Sequence, residues 1–143
     1  MIPQIKQIAQ IADLMTPISQ IEYVPGVCNI GPDEIARRRN LGWVALAISV
    51  ALLLALILTK VNPWWRLFVF FPATTSASGF LQAYFHFCAG FARIGIFNFG
   101  PVGETHKVDD EFSKKKDKRK GNQITLYAVL IGAVTVIIAL VLL

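Results

Sequence analysis

Residues 41–59, LGWVALAISVALLLALILT, are nineteen consecutive side chains without a charge. As a helix, a run of that length crosses the hydrocarbon layer of a bilayer. Nothing else in the chain limits the fold as strongly. Leu67 to Ala92 is again uncharged, and residues 124–143, ITLYAVLIGAVTVIIALVLL, add twenty more uncharged positions. The third run is rich in β-branched residues, but in lipid the backbone must satisfy its own hydrogen bonds, which favours a helix regardless. The pattern predicts an all-α membrane protein with three transmembrane helices, at about 41–59, 67–92 and 124–143. The composition agrees: 55% of residues are hydrophobic, 16% are charged and mean hydropathy is +0.54, too apolar for an ordinary soluble domain.

The flanks punctuate these runs. GPDEIARRRN begins the first helix, with Pro32 in the first turn, where its missing N–H costs nothing. Asp33 and Glu34 then sit at the positive end of the helix dipole. Glu34 and Arg38 have the i, i+4 spacing of a surface ion pair. Trp43 sits near one edge of the first span, Lys60, Asn62 and Pro63 close it, and Trp64, Trp65 and Arg66 mark the opposite interface. Pro72 is placed to kink the second span. The segment 93–106, RIGIFNFGPVGETH, reads as a Gly-rich loop, and 107–123 as a solvated, charged cytoplasmic loop before the third span. Nothing repeats at a fixed period.

Ahead of the spans, Ile5, Ile8, Ala12 and Met15 share one helical face, with Gln4, Gln7, Gln10 and Asp13 largely elsewhere. This predicts an N-terminal amphipathic interfacial helix, lying on a membrane or a partner or packed on the chain's own spans. Pro17 ends it, and Pro25-Gly26 is a turn. The organisation is therefore 1–26 as interfacial segment and turn, 27–106 as a helical hairpin holding the first two spans, the 107–123 loop, and the third span. The first thirty residues lack a cationic start followed by an apolar core, so a secretory signal is not expected and insertion relies on an internal span.

Basic residues set the orientation. Lys6, Arg37, Arg38 and Arg39 precede the first span, only Lys60 and Arg66 follow it, and eight basic residues lie between the second and third. The N-terminus is expected in the cytoplasm and the C-terminus outside, in a three-pass arrangement. Arg37, Arg38, Arg39, Lys114, Lys115, Lys116, Lys118, Arg119 and Lys120 are expected to set topology and to meet anionic lipid headgroups. They account for the net charge of +5 without nucleic acid. No aromatic-basic interleaving, zinc pattern or phosphate loop points elsewhere.

Within the second run, FLQAYFHFCAGFAR places a glutamine, a histidine and a cysteine among aromatics. On a continuous helix, Thr75, Ser76, Gly79, Gln82, Ala83, His86, Gly90 and Arg93 form one small, polar stripe. Phe80, Tyr84, Phe87, Cys88 and Phe91 fall opposite. Polar groups facing hydrocarbon are costly, so the stripe should face protein, with Gly79 and Ala83 allowing close helix approach. His86 is then a packing residue. The alternatives are a haem or chlorophyll ligand with small neighbours beside it, or a proton relay with Gln82 and Arg93. No second histidine lies in a span to give a two-histidine haem site. Cys28 and Cys88 cannot make a disulfide framework and read as small buried residues on the cytoplasmic side, separated by the need for the first segment to reach into the second span.

NIGPDEIARRRNLGW and GFLQAYFHFCAGFARIGIF together resemble the small rhodanese-associated bacterial inner-membrane domain family, over about residues 29–98. The first resembles that family's approach to its first span, the second its second span, with Cys88 and Arg93 at the matching positions. The resemblance implies a bacterial helical hairpin in the inner membrane. The chain departs from it in lacking a rhodanese domain and in having the long charged segment and a third span.

The spans carry no carboxylate and one histidine, so no catalytic constellation exists. The reading is a non-enzymatic structural or accessory subunit of a larger bacterial membrane complex, with other membrane subunits, anionic lipids or further copies of itself as partners and no predicted cofactor. The alternatives are a haem- or (bacterio)chlorophyll-binding subunit of a respiratory or photosynthetic complex through His86, and an oligomeric channel or transporter component.

Overall fold

A computed structural model describes residues 23–143. The expected amphipathic helix through Ile5, Ile8, Ala12 and Met15 lies outside the described residues. The elements are α1 (Pro32–Leu58), a 3₁₀ helix (Pro63–Val69), α2 (Phe70–Tyr84), α3 (Ala89–Ile94), β1 (Ile96–Phe97), β2 (His106–Lys107) and α4 (Glu111–Leu142). α2 packs against α1 on one side and α4 on the other, and α3 packs on α4. β1 and β2 pair antiparallel, with Ile96 opposite Lys107 and Phe97 opposite His106.

Two helices, α1 and α4, are long and apolar enough to cross a membrane, and only 17% and 28% of their most apolar stretches are buried within the chain. A core helix of a soluble protein would be mostly covered. The burial pattern is inverted as well. The inner stripe of α1 is Glu34, Gly42, Ala45 and Ser49, and that of α4 runs Asp117, Gly121, Ile124, Ala128, Gly132, Val136, Ala139. The large side chains, including Trp43, Leu54, Leu58, Leu130, Ile137 and Val141, point outward. Small residues inside and large apolar ones outside let backbones approach where lipid removes the hydrophobic drive for association.

The contacts show how close that approach is. A Cβ on Gly79 of α2 would lie 2.7 Å from the Gly42 nitrogen and 2.8 Å from the Arg38 carbonyl oxygen of α1. Ser76 Oγ donates to the Gly42 carbonyl at 2.9 Å across the same crossing. Thr74 fills the equivalent space against Gly132 of α4. At the far end, Arg66 Nη1 donates to the Ala139 carbonyl at 3.0 Å, so the C-terminal end of α4 lies beside the 3₁₀ helix. The start of α1, the end of α2, α3, the β pair and the start of α4 gather at the other end.

The elements depart from the sequence reading, and the segment 93–106, read as a loop, holds the end of α3, β1 and the first residue of β2. The second run is not one helix over 67–92. It opens as 3₁₀, continues as α2 and stops at Tyr84 before restarting as α3. Pro72 falls in the first turn of α2, directly after the change from 3₁₀ to α-helix. The segment 107–123 is not a loop. Asp110 caps α4 by accepting from Phe112 N–H at 3.3 Å and Ser113 N–H at 3.0 Å, and Glu111 pairs with Lys114 at 3.0 Å in the first turn. A cap residue, an acidic first turn and a lysine-rich continuation are helix-start chemistry, which the charge of the segment obscures.

Candidate functional site

The helix break at Phe85 to Cys88 organises the gathered end. His86 adopts a left-handed conformation, with φ at 53°. Its N–H reaches the Ala83 carbonyl at 3.3 Å, and the Phe87 N–H reaches the Gln82 carbonyl at 3.0 Å. This is the Schellman ending of a helix, with histidine where glycine is usual. His86 is exposed, in a turn, and continues no helical stripe.

A chain that leaves a helix among apolar neighbours frees backbone groups that must find partners. Asn29 supplies most of them. Its backbone N–H donates to the His86 carbonyl at 3.2 Å. Its side-chain Oδ1 accepts from Cys88 N–H at 2.6 Å, and its Nδ2 donates to the Cys88 carbonyl at 3.1 Å. Gln82 Oε1 accepts the next N–H, from Ala89, at 3.2 Å, while its Nε2 donates to Ser78 Oγ at 2.7 Å. Cys88 Sγ accepts from Phe91 N–H at 3.5 Å. Beside this knot, Phe87, Ala92 and Ile124 form a buried apolar cluster.

A second asparagine ties the next layer. Asn98 N–H donates to the Asn29 carbonyl at 3.0 Å, and Gly31 N–H to the Asn98 carbonyl at 2.7 Å, a short parallel bridge. Asn98 Nδ2 donates to the Pro101 carbonyl at 2.9 Å and, more weakly, to Glu34 Oε1 at 3.4 Å. Its Oδ1 accepts from Gly100 N–H at 2.8 Å. Both asparagines are fully buried. Gly31 must be small here, since a Cβ would fall 2.8 Å from the Phe99 Cα. The two strands of this layer carry the same tetrapeptide pattern, Asn29-Ile30-Gly31-Pro32 and Asn98-Phe99-Gly100-Pro101. That echo is the signal which identifies both residues from sequence, and periodicity does not see it.

Charge is buried at two points. Glu34 is 1% exposed, with Arg38 Nη2 at 3.7 Å and Arg37 Nη1 at 3.9 Å. The expected surface pair is therefore a covered one, and the Arg38 guanidinium lies 5.7 Å over the Phe91 ring rather than reaching out to headgroups. Asp117 is fully buried. It accepts from the Tyr23 hydroxyl at 2.6 Å and from Gly26 N–H at 2.8 Å, pinning the 23–26 segment to α4. Tyr23 in turn stacks on Phe97 at 4.6 Å. Burial, then the hydrogen bond and charge of Asp117, push the Tyr23 phenol well above its ordinary range.

The expected stripe is thus divided. Ser76, Gly79, Gln82 and Ala83 face protein, while Thr75, His86, Gly90 and Arg93 are exposed. Thr75 bonds back to the Phe71 carbonyl at 2.9 Å, and Arg93 Nη2 donates to Thr125 Oγ1 at 3.0 Å. Phe87 and Cys88, read as the opposite face, are buried because the turn at His86 rotates them inward. Cys28 and Cys88 are buried free thiols that flank Asn29 and its contact, so the first segment does reach the second run. Burial pushes the Cys28 thiol up, which disfavours the reactive thiolate. Among the described residues, no three His, Cys, Asp or Glu side chains are grouped to hold a metal. Of the expected headgroup residues, Arg37, Arg39, Lys115, Lys116, Lys118 and Arg119 are exposed, and Lys114 and Lys120 half-buried. The arrangement is a polar clasp, chemically suited to holding helix ends in fixed positions. Comparison with protein-family models, with curated proteins and with solved structures gives no match.

Proposed function

We propose that the chain is a three-pass integral membrane protein of the bacterial inner membrane, acting without catalysis as a structural or accessory subunit of a larger assembly. The observation that carries this reading is the inverted burial of α1 and α4, small residues inward and large apolar ones outward. The 3₁₀ helix and α2 run together over 63–84. At about 2 Å and 1.5 Å per residue they reach some 36 Å, enough for the return crossing. The basic residues put the clasp in the cytoplasm and the end of α4 outside.

Support for a protein partner comes from an apolar groove of about 370 Å³ along α2, flanked by Leu46 and Ser49 of α1 and Ile131 and Thr135 of α4. Its floor includes Ala73, Ser76 and Ala77, the small residues that admit a further transmembrane helix. Ser49 Oγ on its wall is buried without a hydrogen-bond partner among the described residues. Pigment or haem ligation through His86 and a pore past Gln82 find less support. The histidine sits in a turn outside the helices, and Gln82 spends both ends of its amide within the chain.

Native purification from membranes in mild detergent, followed by mass spectrometry, tests the reading. A defined stoichiometric complex is expected, and Ala77→Trp, which fills the groove, should release the chain from it. Recovery of the native chain only as a solitary monomer would refute the subunit role.

A further inference from the structure

We propose that the start of α4 and the Pro25-Gly26 turn form a specific site for the phosphate of an anionic phospholipid. The inference rests on the membrane-spanning reading above. A polar groove of about 320 Å³ is lined by Pro25, Gly26, Lys116, Arg119, Lys120 and Gln123. The four α4 residues fall at i, i+3, i+4 and i+7, one face of the helix. The turn forms the opposite wall, and it is held there: Gly26 N–H donates to Asp117 at 2.8 Å, and a Cβ on Gly26 would lie 3.3 Å from Lys116 Cβ.

Three cationic residues line this groove, and among the described residues none of them makes an ion pair. The Asp117 carboxylate beside the turn is fully buried and occupied, with one oxygen on the Tyr23 hydroxyl and the other on Gly26 N–H. Two of the cations are steadied by aromatic faces, Lys116 Nζ 4.6 Å from the Phe112 ring centroid and Lys120 Nζ 4.2 Å from that of Phe85. These contacts restrict the ammonium groups without neutralising them. Such a site favours a multivalent oxyanion, which a guanidinium and two ammonium groups can share.

Depth decides which oxyanion. Gln123 is the last position before the apolar run that begins at Ile124, so the groove lies at headgroup level when that run is in hydrocarbon. The same face of α4 continues as Tyr127, Leu130 and Val134, all exposed and apolar or amphipathic. Gln123 Nε2 donates to the Tyr127 hydroxyl at 3.0 Å, joining the polar and apolar parts of the track. A phosphate in the groove would lay its acyl chain along that track, which a soluble phosphate cannot use.

The test is lipid retention by native mass spectrometry of the full chain in mild detergent, at about 0.15 M salt to screen diffuse attraction. Synthetic phosphatidylglycerol and phosphatidylcholine are titrated separately. Wild type is expected to prefer the anionic lipid. Lys116→Gln with Lys120→Gln should weaken that binding roughly 30-fold, from the usual contribution of each basic residue near a membrane, and leave phosphatidylcholine unchanged. Lys115→Gln with Lys118→Gln removes the same charge from outside the groove and should change little. Arg119→Gln alone provides a second reading if the first pair impairs folding. Equal losses in the two pairs, or no preference for the anionic lipid, would overturn the site while leaving the membrane reading intact. Displacement of the lipid by millimolar inorganic phosphate would overturn the lipid as its ligand. Release of the protein from membranes by alkaline carbonate would instead refute the membrane reading itself.

Discussion

At the residue scale, single polar side chains do work that the apolar background cannot. Asn29 satisfies both backbone groups of Cys88 from a fully buried position. Asn29→Ala would orphan them, at about 3 kcal/mol. Denaturant titration of the micelle-bound protein, followed by tryptophan fluorescence, should show that loss. His86 holds a left-handed conformation at φ 53°, a position that costs a side chain about 1 kcal/mol and glycine nothing. His86→Gly should therefore match or exceed wild-type stability in the same titration, whereas the β-branched His86→Val should fall below it. Tyr23 predicts a pH effect. The folded state holds its phenol protonated above the ordinary value of 10.0, so the folded chain binds that proton more tightly than the unfolded one. Its contribution is complete below about pH 10 and declines as the pH rises above it. Tyr23→Phe should start lower, by about 2 kcal/mol for the lost bond to a carboxylate, and show a shallower alkaline decline.

Among the elements, stability depends on where helices touch and how they begin. At the α1–α2 crossing a Cβ on Gly79 would meet backbone atoms of Arg38 and Gly42, so these neighbours cannot yield by rotating a side chain. Gly79→Val should cost about 3 kcal/mol, and a cysteine cross-link engineered between α1 and α2 should form more slowly in that variant. The start of α4 depends on Asp110, whose carboxyl is held below its ordinary value by the hydrogen bonds from Ser113 and Phe112. Asp110→Ala should lower stability at neutral pH. The wild-type advantage is present above the ordinary carboxylate value and disappears as the pH falls through the depressed one, which paired titrations of the two proteins would reveal. The cap was readable in advance, since Asp110, Glu111 and Ser113 stand in the usual order for a helix start. Reading the density of lysines as solvated loop hid it. The break at His86 was not readable, because a histidine in a helical stripe carries no sign of a left-handed backbone.

For the whole molecule, the expected outcome is opposite exposure of the two ends. Lys60→Cys should label with an impermeant maleimide from outside intact cells, and Lys118→Cys only after permeabilisation; the native Cys28 and Cys88 are buried and should label slowly. Labelling of both from the same side would contradict the three-pass topology. The apolar runs by themselves determined that this chain is mostly helical and marked the apolar stretches of its two long helices, because a helix satisfies the backbone of such a run within the segment; they did not show that the second helix begins at Glu111. They also determined that Gln82 would need a protein partner. Only the tertiary structure decided that partner, the backbone N–H of Ala89 just past a broken helix, and only it joined Asn29 to Asn98 across 68 intervening positions. Hydrophobicity is summed locally along a chain, whereas a buried hydrogen bond depends on two groups meeting in space, and that meeting is set by the small-residue crossings at Gly42, Gly79 and Gly132.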